Sequence, residues 1–344
     1  MLCSYRVLIH YNLSLADLRM HMTIASEETE EIPPHDVMLN ASKREETEKM
    51  KKFSIITICL NAENCIEDTI ISVLNQTCID FEYIVKDGNS KDRTVSIAQS
   101  FAPAFSARGI PFLVISQPDL GIYDAMNQAT QRAQGNWILY MNAGDQIADQ
   151  NVLNLIGKSS YLEIADILYG NHILQRDDYY FCSKPEPLET IRYKMPFCHQ
   201  STFTRRELLL KSPYSLKYRI CSDYKFYLQM YLDGKRFEYI PIDISIYDAD
   251  GISANYKLRY QEKIEILEEF PVRDEVSIQR LKNELEYYEN YKKSRRFKNL
   301  LKGLVPPKLL AKRREWKRTE SGWKTTEEFL LEKEKRNEMA NRIL

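Results

Sequence analysis

A few polar side chains of this 344-residue chain fall where apolar runs end, and their types suit chemistry on a charged ligand. Asp145 closes Asn142-Ala143-Gly144-Asp145, directly after the apolar run 137–141. Asp87 opens the turn Asp87-Gly88-Asn89-Ser90 after the run 81–85, Asn61 follows 53–60, and Asp119 follows 112–116. Runs of this length and composition read as buried strands. In an open α/β sheet, ligands bind beyond the carboxyl ends of the strands, so the pattern gathers these residues along one edge. A carboxylate on a tight turn there suits a metal ion or a phosphate. Asp92 reads as a helix cap.

The positioning elements follow from periodicity. Residues 116–145 form a polar turn (Gln117 to Gly121), a helix with Ile122, Ala125, Met126, Ala129 and Ala133 at helical spacing, and a short strand after Gly135-Asn136. Upstream, strands 53–60, 81–85 and 112–116 alternate with amphipathic helices that carry Ile66, Ile70 and Val73, then Val95, Ala98 and Phe101. Such alternation predicts an α/β fold, a mostly parallel Rossmann-like sheet with helices on both faces. Past Asn151 the pattern is less regular: strands at 166–170 and 179–183, a short helix at 187–194, and an apolar strand at 197–203 interrupted by His199-Gln200. A lone histidine there reads either as a hydrogen-bonded core residue or as a ligand contact. Ser222 reads as an N-cap, which puts Asp223 in the first turn of a helix, where the macrodipole favours a carboxylate.

The expected organisation is an N-terminal extension at 1–49 (or a start-site artefact, with Met50 as the natural start), a nucleotide-binding half at 50–150, an acceptor half at 151–270 and a helical basic extension at 271–344. Helices are expected at 256–270 and 272–291. Basic and apolar residues interleave from 292 to 318, which fits either docking on an anionic membrane surface, at about 1 kcal/mol per basic residue, or an exposed helical hairpin.

Composition bounds the rest. A 44% hydrophobic share and 28% charged residues leave ample material for a globular core. No apolar run approaches the roughly 20 residues that span a bilayer, and Val7-Leu8-Ile9 is too short for a signal-peptide core. Seven scattered cysteines without a CxxC pair predict reduced thiols in a cytoplasmic protein. The absence of GxGxxG and of a P-loop lysine argues against a dinucleotide dehydrogenase or a Walker-type NTPase. No nucleic-acid recognition motif accompanies the basic run.

Taken together, FSIITICLNAENCIEDTIISVLNQT, EYIVKDGNSKDRT, QPDLGIYDAMNQATQRAQGNWILYMNAGD, CHQSTFTRRELL and CSDYKFYL resemble the inverting family-2 glycosyltransferases, in the family's order. The nearest resemblance is to bacterial enzymes of colanic-acid, exopolysaccharide and lipopolysaccharide synthesis, and it spans residues 53–266. It implies a GT-A fold, a nucleotide-diphosphate sugar donor and a divalent cation, Mg²⁺ or Mn²⁺. By position, Thr57, Asn61, Glu63 and Asp87 would hold the base and ribose. Gly121, Tyr123, Asp124 and Asn127, together with Asn142, would approach the ribose, phosphate and sugar. Asp145 would be the metal carboxylate, His199 and Gln200 would contact donor or acceptor, and the turn 250–253 would approach the site. Asp223 would be the catalytic base. The family's metal motif often carries two acids and this one carries a single acid, so the diphosphate and water must complete the shell.

The implied reaction is one displacement with inversion onto a hydroxyl of a saccharide or lipid-linked oligosaccharide, on the inner face of the cell membrane. Two rivals remain: a polyprenyl-phosphate sugar synthase, and a non-catalytic nucleotide-sugar-binding scaffold.

Overall fold

The computed structural model describes residues 51–248, 255–270, 274–302 and 321–343. The expected extension at 1–49, the turn at 250–253 and the part of the basic run from 303 to 318 lie outside the described residues.

The first half alternates as the periodicity predicts. It runs β1 (Phe53–Cys59), α1 (Ile66–Leu74), β2 (Phe81–Asp87), α2 (Thr94–Ser100), α3 (Ala102–Ala107), β3 (Phe112–Ser116), α4 (Ile122–Arg132) and β4 (Trp137–Tyr140). These four strands lie parallel in the order β3-β2-β1-β4. All seven residues of β1 are buried, but they serve two faces. Ile56 and Ile58 pack under α4, while Phe53, Ile55 and Cys59 pack under α1 and α2. That is the period-2 signature of a strand covered on both sides. Gly135 lets the chain enter β4 beside β1, since a Cβ there would lie 2.5 Å from the Phe53 carbonyl carbon.

The second half extends the same sheet: β5 (Gln146–Ile147), α5 (Val152–Lys158), β6 (Ile167–Arg176), β7 (Tyr179–Ser183), β8 (Thr202–Arg205), α6 (Arg206–Lys211), α7 (Ser222–Leu232) and β9 (Phe237–Asp248). Here most pairs are antiparallel: along one edge of β6, β8 joins its first residues to β4 and β7 pairs with its later ones, while β9 runs parallel to β6 on the other edge. The sheet is therefore α/β and mostly parallel in strand direction, with antiparallel joints in its second half. Helices α8 (Tyr256–Glu269) and α9 (Glu275–Lys302) follow, then β10 (Lys324–Thr325) on the edge of β7, and α10 (Thr326–Ile343).

Several boundaries differ from expectation. Strand β2 runs on to Asp87, because parallel pairing with β1 and β3 continues to Cys59 and Ser116. Residues 197–203 do not form one strand. A 3-10 turn, His199–Ser201, precedes β8 and carries the polar pair out of the sheet. Helix α7 begins at Ser222 itself, and the Ser222 hydroxyl makes no hydrogen bond among the described residues.

No disulfide joins the described cysteines, and none of the described helices is long and apolar enough to cross a membrane.

Candidate active site

The strand ends are level, and this brings their loops into contact. Asp87 pairs with both Cys59 and Ser116 across the sheet. Its carboxylate is fully buried and accepts from the Asn89 and Ser90 amides at 2.9 and 3.0 Å, from the Ser116 hydroxyl at 2.7 Å and from the Ser90 hydroxyl. Burial pushes this carboxyl up, but the hydrogen bonds outweigh it and hold the pKa below the ordinary range. Next to it, Lys86 is buried and donates to the Asp87 and Gln117 carbonyls and to Asp119, at 2.8 to 2.9 Å. Asp119 in turn lies 3.0 Å from where a Cβ of Gly88 would sit, so a side chain there would crowd the carboxylate that Lys86 holds. Lys86 was not anticipated; its signal is a lysine directly after the apolar Tyr83-Ile84-Val85 of a buried strand.

The loop after β1 is zipped onto the loop after β2. The Asn61 amide donates to the Ser90 hydroxyl at 2.7 Å, and the Asn61 side-chain oxygen accepts from the Lys91 amide at 2.9 Å. Glu63 accepts from the Arg93 amide at 3.1 Å, and its own amide donates to Asp92, which also binds Thr94 as an N-terminal cap would. Asn61 sits at φ 50°, a left-handed turn that asparagine tolerates. Asn61 is exposed and Glu63 half-exposed at this rim.

Two expected contacts are placed otherwise. Thr57 lies inside β1, fully buried, with its hydroxyl 2.8 Å from the Tyr83 hydroxyl, so it is core rather than a strand-end ligand. Asn127 clamps the backbone of Tyr214 with both ends of its amide, at 2.8 and 2.9 Å. Asp124 holds the start of α4 by accepting from the Leu120 amide at 2.9 Å, after Gly121 at φ 125°.

The remaining predicted residues converge. The turn 142–145 runs on beside β1, with the Met141 and Ala143 amides donating to Ile56 and Ile58, and the Gly144 amide donating to Thr69. Antiparallel pairing of β8 with β4 then sets the His199–Ser201 turn against it. Gln200 donates to Asp145 at 3.2 Å, and the Asn142 amide nitrogen lies 3.4 Å from His199 Nε2. On its other side, His199 Nδ1 is 3.3 Å from Asp223. Asp223 also accepts from the Tyr123 hydroxyl and from the Tyr224 amide, both at 2.8 Å. With a proton on Nδ1, His199 donates to Asp223, and its Nε2 can accept from Asn142.

Asp223 is 17% exposed. Burial pushes its carboxyl up; the His199 contact, the Tyr123 hydroxyl and the Tyr224 amide prevail and hold it below the ordinary value. It is therefore ionised at neutral pH and open to solvent on one side.

Glu262, on α8, was not anticipated either. It is 5% exposed and accepts from three successive amides, Arg219, Ile220 and Cys221, at 2.8 to 2.9 Å. The Ile220 carbonyl accepts from the same Tyr123 hydroxyl that binds Asp223. Glu262 thus fixes the approach to α7. Glu262→Gln replaces one acceptor oxygen with a donor facing amide hydrogens and is expected to cost about 2 kcal/mol of stability. Urea denaturation checks this, and an unchanged midpoint would refute it.

The sequence pattern of glycosyl transferase family 2 matches residues 54–212. A PGL/p-HBAD biosynthesis glycosyltransferase of Mycobacterium tuberculosis is 33% identical over 184 residues, which cover 52% of this chain and 69% of that protein. The chain belongs to glycosyltransferase family 2. As a family-2 glycosyltransferase it has the expected fold neighbours. S. aureus TarS residues 1–349, solved in complex with UDP-GlcNAc, superposes with TM-score 0.52 at 17% identity, covering 66% of this chain and 69% of that one. The mannosyltransferase PcManGT of Pyrobaculum calidifontis, solved with GDP-Man and Mn²⁺, gives TM-score 0.50 at 15% identity, covering 77% and 74%. The fold of this family-2 enzyme is thus the GT-A fold.

Proposed function

We propose that this glycosyltransferase moves a sugar, with inversion, from a nucleotide-diphosphate sugar to a hydroxyl of a lipid-linked saccharide during surface-polysaccharide synthesis. The observation that carries this reading is the meeting of two groups at one strand edge. The Asn142–Asp145 turn and the Tyr123–Asp223–His199 group come together through the contact of His199 with Asn142. Donor and acceptor chemistry need that adjacency, because the two reacting partners must approach one carbon from opposite sides.

The oxygens at the turn fit a hard divalent cation. Among the described residues no group of three or more His, Cys, Asp or Glu side chains could hold a metal by itself. Asp145 offers a carboxylate, and the Asn142 side-chain oxygen is buried with no hydrogen-bond partner among the described residues. Two protein oxygens plus diphosphate and water match the habit of Mg²⁺ or Mn²⁺. When bound, the cation would neutralise charge developing on the leaving diphosphate. PcManGT, with Mn²⁺ and a nucleotide sugar in its structure, is consistent with such a site.

In this reading the exposed faces of Asn61 and Glu63 border the nucleoside, and Asp87 with Lys86 fixes the loop that carries it. The start of α4, at Gly121 and Tyr123, faces the sugar and phosphates. Gln200 orients Asp145, and His199 spans donor and acceptor sides. Asp223 accepts the proton of the attacking hydroxyl as the new bond forms. A single displacement requires no protein nucleophile. A lipid-linked acceptor would place the enzyme on the cytoplasmic face of the membrane.

The test is a thermal-shift panel of nucleoside diphosphates and nucleotide sugars, with Mn²⁺ and with chelator. Stabilisation by one nucleotide that vanishes with chelator is expected. No shift with any nucleotide would refute the donor site, and binding without turnover on any glycan acceptor would favour a non-catalytic scaffold.

A further inference from the structure

Two cations on α8, beside the loop that leads to Asp223, make no ion pair among the described residues. Arg259 and Lys263 lie four residues apart on α8, on the face that also carries Glu262 toward the loop before α7. The Arg259 carbonyl accepts from the Cys221 thiol, and the Lys263 ammonium lies 5.2 Å above the ring of Tyr224, the residue after Asp223. The Arg259 guanidinium lies 4.4 Å over the Tyr256 ring. Among the described residues neither cation has a carboxylate or other hydrogen-bond partner.

Their neighbours are paired. Lys257 meets Glu289 at 3.1 Å, Arg280 meets Glu284 at 3.1 Å, and Lys217 and Lys225 both reach Glu269, at 2.5 and 2.6 Å. Lone cations at this place need a reason. Lys263 is packed closely enough that burial pulls its ammonium down, while the charges of Asp223 and Glu284, neither in contact with it, act the other way. Holding a partly desolvated ammonium without a partner is costly, and an anion from a ligand would remove that cost.

The chemistry of the pair narrows the ligand. A guanidinium held on an aromatic face presents a planar fork that matches phosphate oxygens two at a time, and an ammonium adds a point charge. Two positive charges suit a dianion better than a single carboxylate. The pair sits beside the carboxylate assigned to the acceptor, on a helix that the nucleotide-side loops do not touch through any described hydrogen bond.

We propose that Arg259 and Lys263 form a subsite for a phosphoryl group carried by the acceptor. That group is either the diphosphate joining a saccharide to a lipid or a phosphate ester on the saccharide itself. The inference rests on the reading of Asp223 as the residue that faces the acceptor. In the ternary complex the subsite would anchor the acceptor beside Asp223 without sharing the cation site at Asp145.

The experiment uses the full chain and calorimetric titration of farnesyl diphosphate, glycerol phosphate and, as the neutral control, glycerol. Each is titrated into free protein and into protein saturated with its preferred nucleotide and Mn²⁺. Wild type is compared with Arg259→Gln and Lys263→Gln, each checked for an unchanged melting temperature. At least one phosphorylated probe is expected to bind with the donor site filled, and each variant should weaken it by at least about tenfold while leaving nucleotide affinity within about twofold. Preference for farnesyl diphosphate identifies the lipid anchor as the source of the phosphoryl group; preference for glycerol phosphate identifies an ester on the saccharide.

The proposal is overturned if neither phosphorylated probe binds, if glycerol binds equally well, or if the variants bind the probes as wild type does. It is also overturned if the variants weaken nucleotide as much as probe, since the cations would then belong to the donor diphosphate. Failure of the donor reading is separate. It would appear as absent nucleotide binding, while probe binding to free protein still reports on the subsite.

Discussion

Asp223→Asn is expected to lower kcat by about a thousandfold or more and to leave nucleotide affinity nearly unchanged, because it removes the proton acceptor for the attacking hydroxyl. The substitution is close to isosteric. The amide oxygen can still accept from the Tyr123 hydroxyl and the Tyr224 amide, which hold the carboxylate now. Loss of fold is therefore not the expected route to lost activity. Turnover and nucleotide binding measured on the same preparation separate the possibilities; a fully active variant would remove Asp223 from the mechanism.

The pH dependence follows with a fixed sign. His199, Tyr123 and the Tyr224 amide hold the Asp223 carboxyl below its ordinary value of 3.8 despite burial. The basic form therefore persists through neutrality, and the acid limb of activity should lie below the ordinary carboxylate range. The same depression contributes stability that is complete above the unfolded-chain pKa and is lost as pH falls through the folded one.

Asp145→Asn is expected to abolish the chelator-sensitive part of nucleotide stabilisation and to lower turnover by about a thousandfold or more. With a single carboxylate at this turn, its charge cannot be replaced by a neighbour. Asn142 supplies only a neutral oxygen. The side chain is 8% exposed and accepts from Gln200, a bond that the amide variant can keep. Thermal shift with Mn²⁺ and with chelator reads the result, and wild-type metal dependence in the variant would sink the assignment. The two variants should differ in kind: the first separates kcat from binding, whereas the second couples them.

Much of this was legible in the chain itself. Alternation of fully apolar strands with amphipathic helices specifies a covered parallel sheet, because each side chain's face follows from local spacing alone. Ile56 and Ile58 against Phe53 and Ile55 are an instance. Polar residues ending those strands must then share an edge, which is why Asn61, Asp87, Asp119 and Asp145 could be grouped before any coordinates. The ordered motifs fixed the family for the same reason: five local patterns in sequence constrain a fold more tightly than any one of them.

The second half was read less well, since its pairings are non-local. The antiparallel joint of β8 to β4 sets His199 and Gln200 beside Asn142 and Asp145, across more than fifty residues of chain. No periodicity within residues 197–203 encodes that neighbour, so the segment read as one strand rather than a 3-10 turn and a strand.

Burial is the other thing that spacing cannot give. Thr57 and Asn127 have the right types for ligand contact, yet the sheet and α4 turn them onto Tyr83 and the Tyr214 backbone. Glu262 looks like an ordinary surface charge in the sequence, yet packing commits it, like Lys86, to loops that frame the site. By itself, the sequence determined the fold class, the family and the edge where chemistry occurs, because those depend on local period and strand direction. Which side chains face that edge and which are spent on holding it was decided by tertiary structure, because hydrogen-bond partners distant in the chain compete for each polar group.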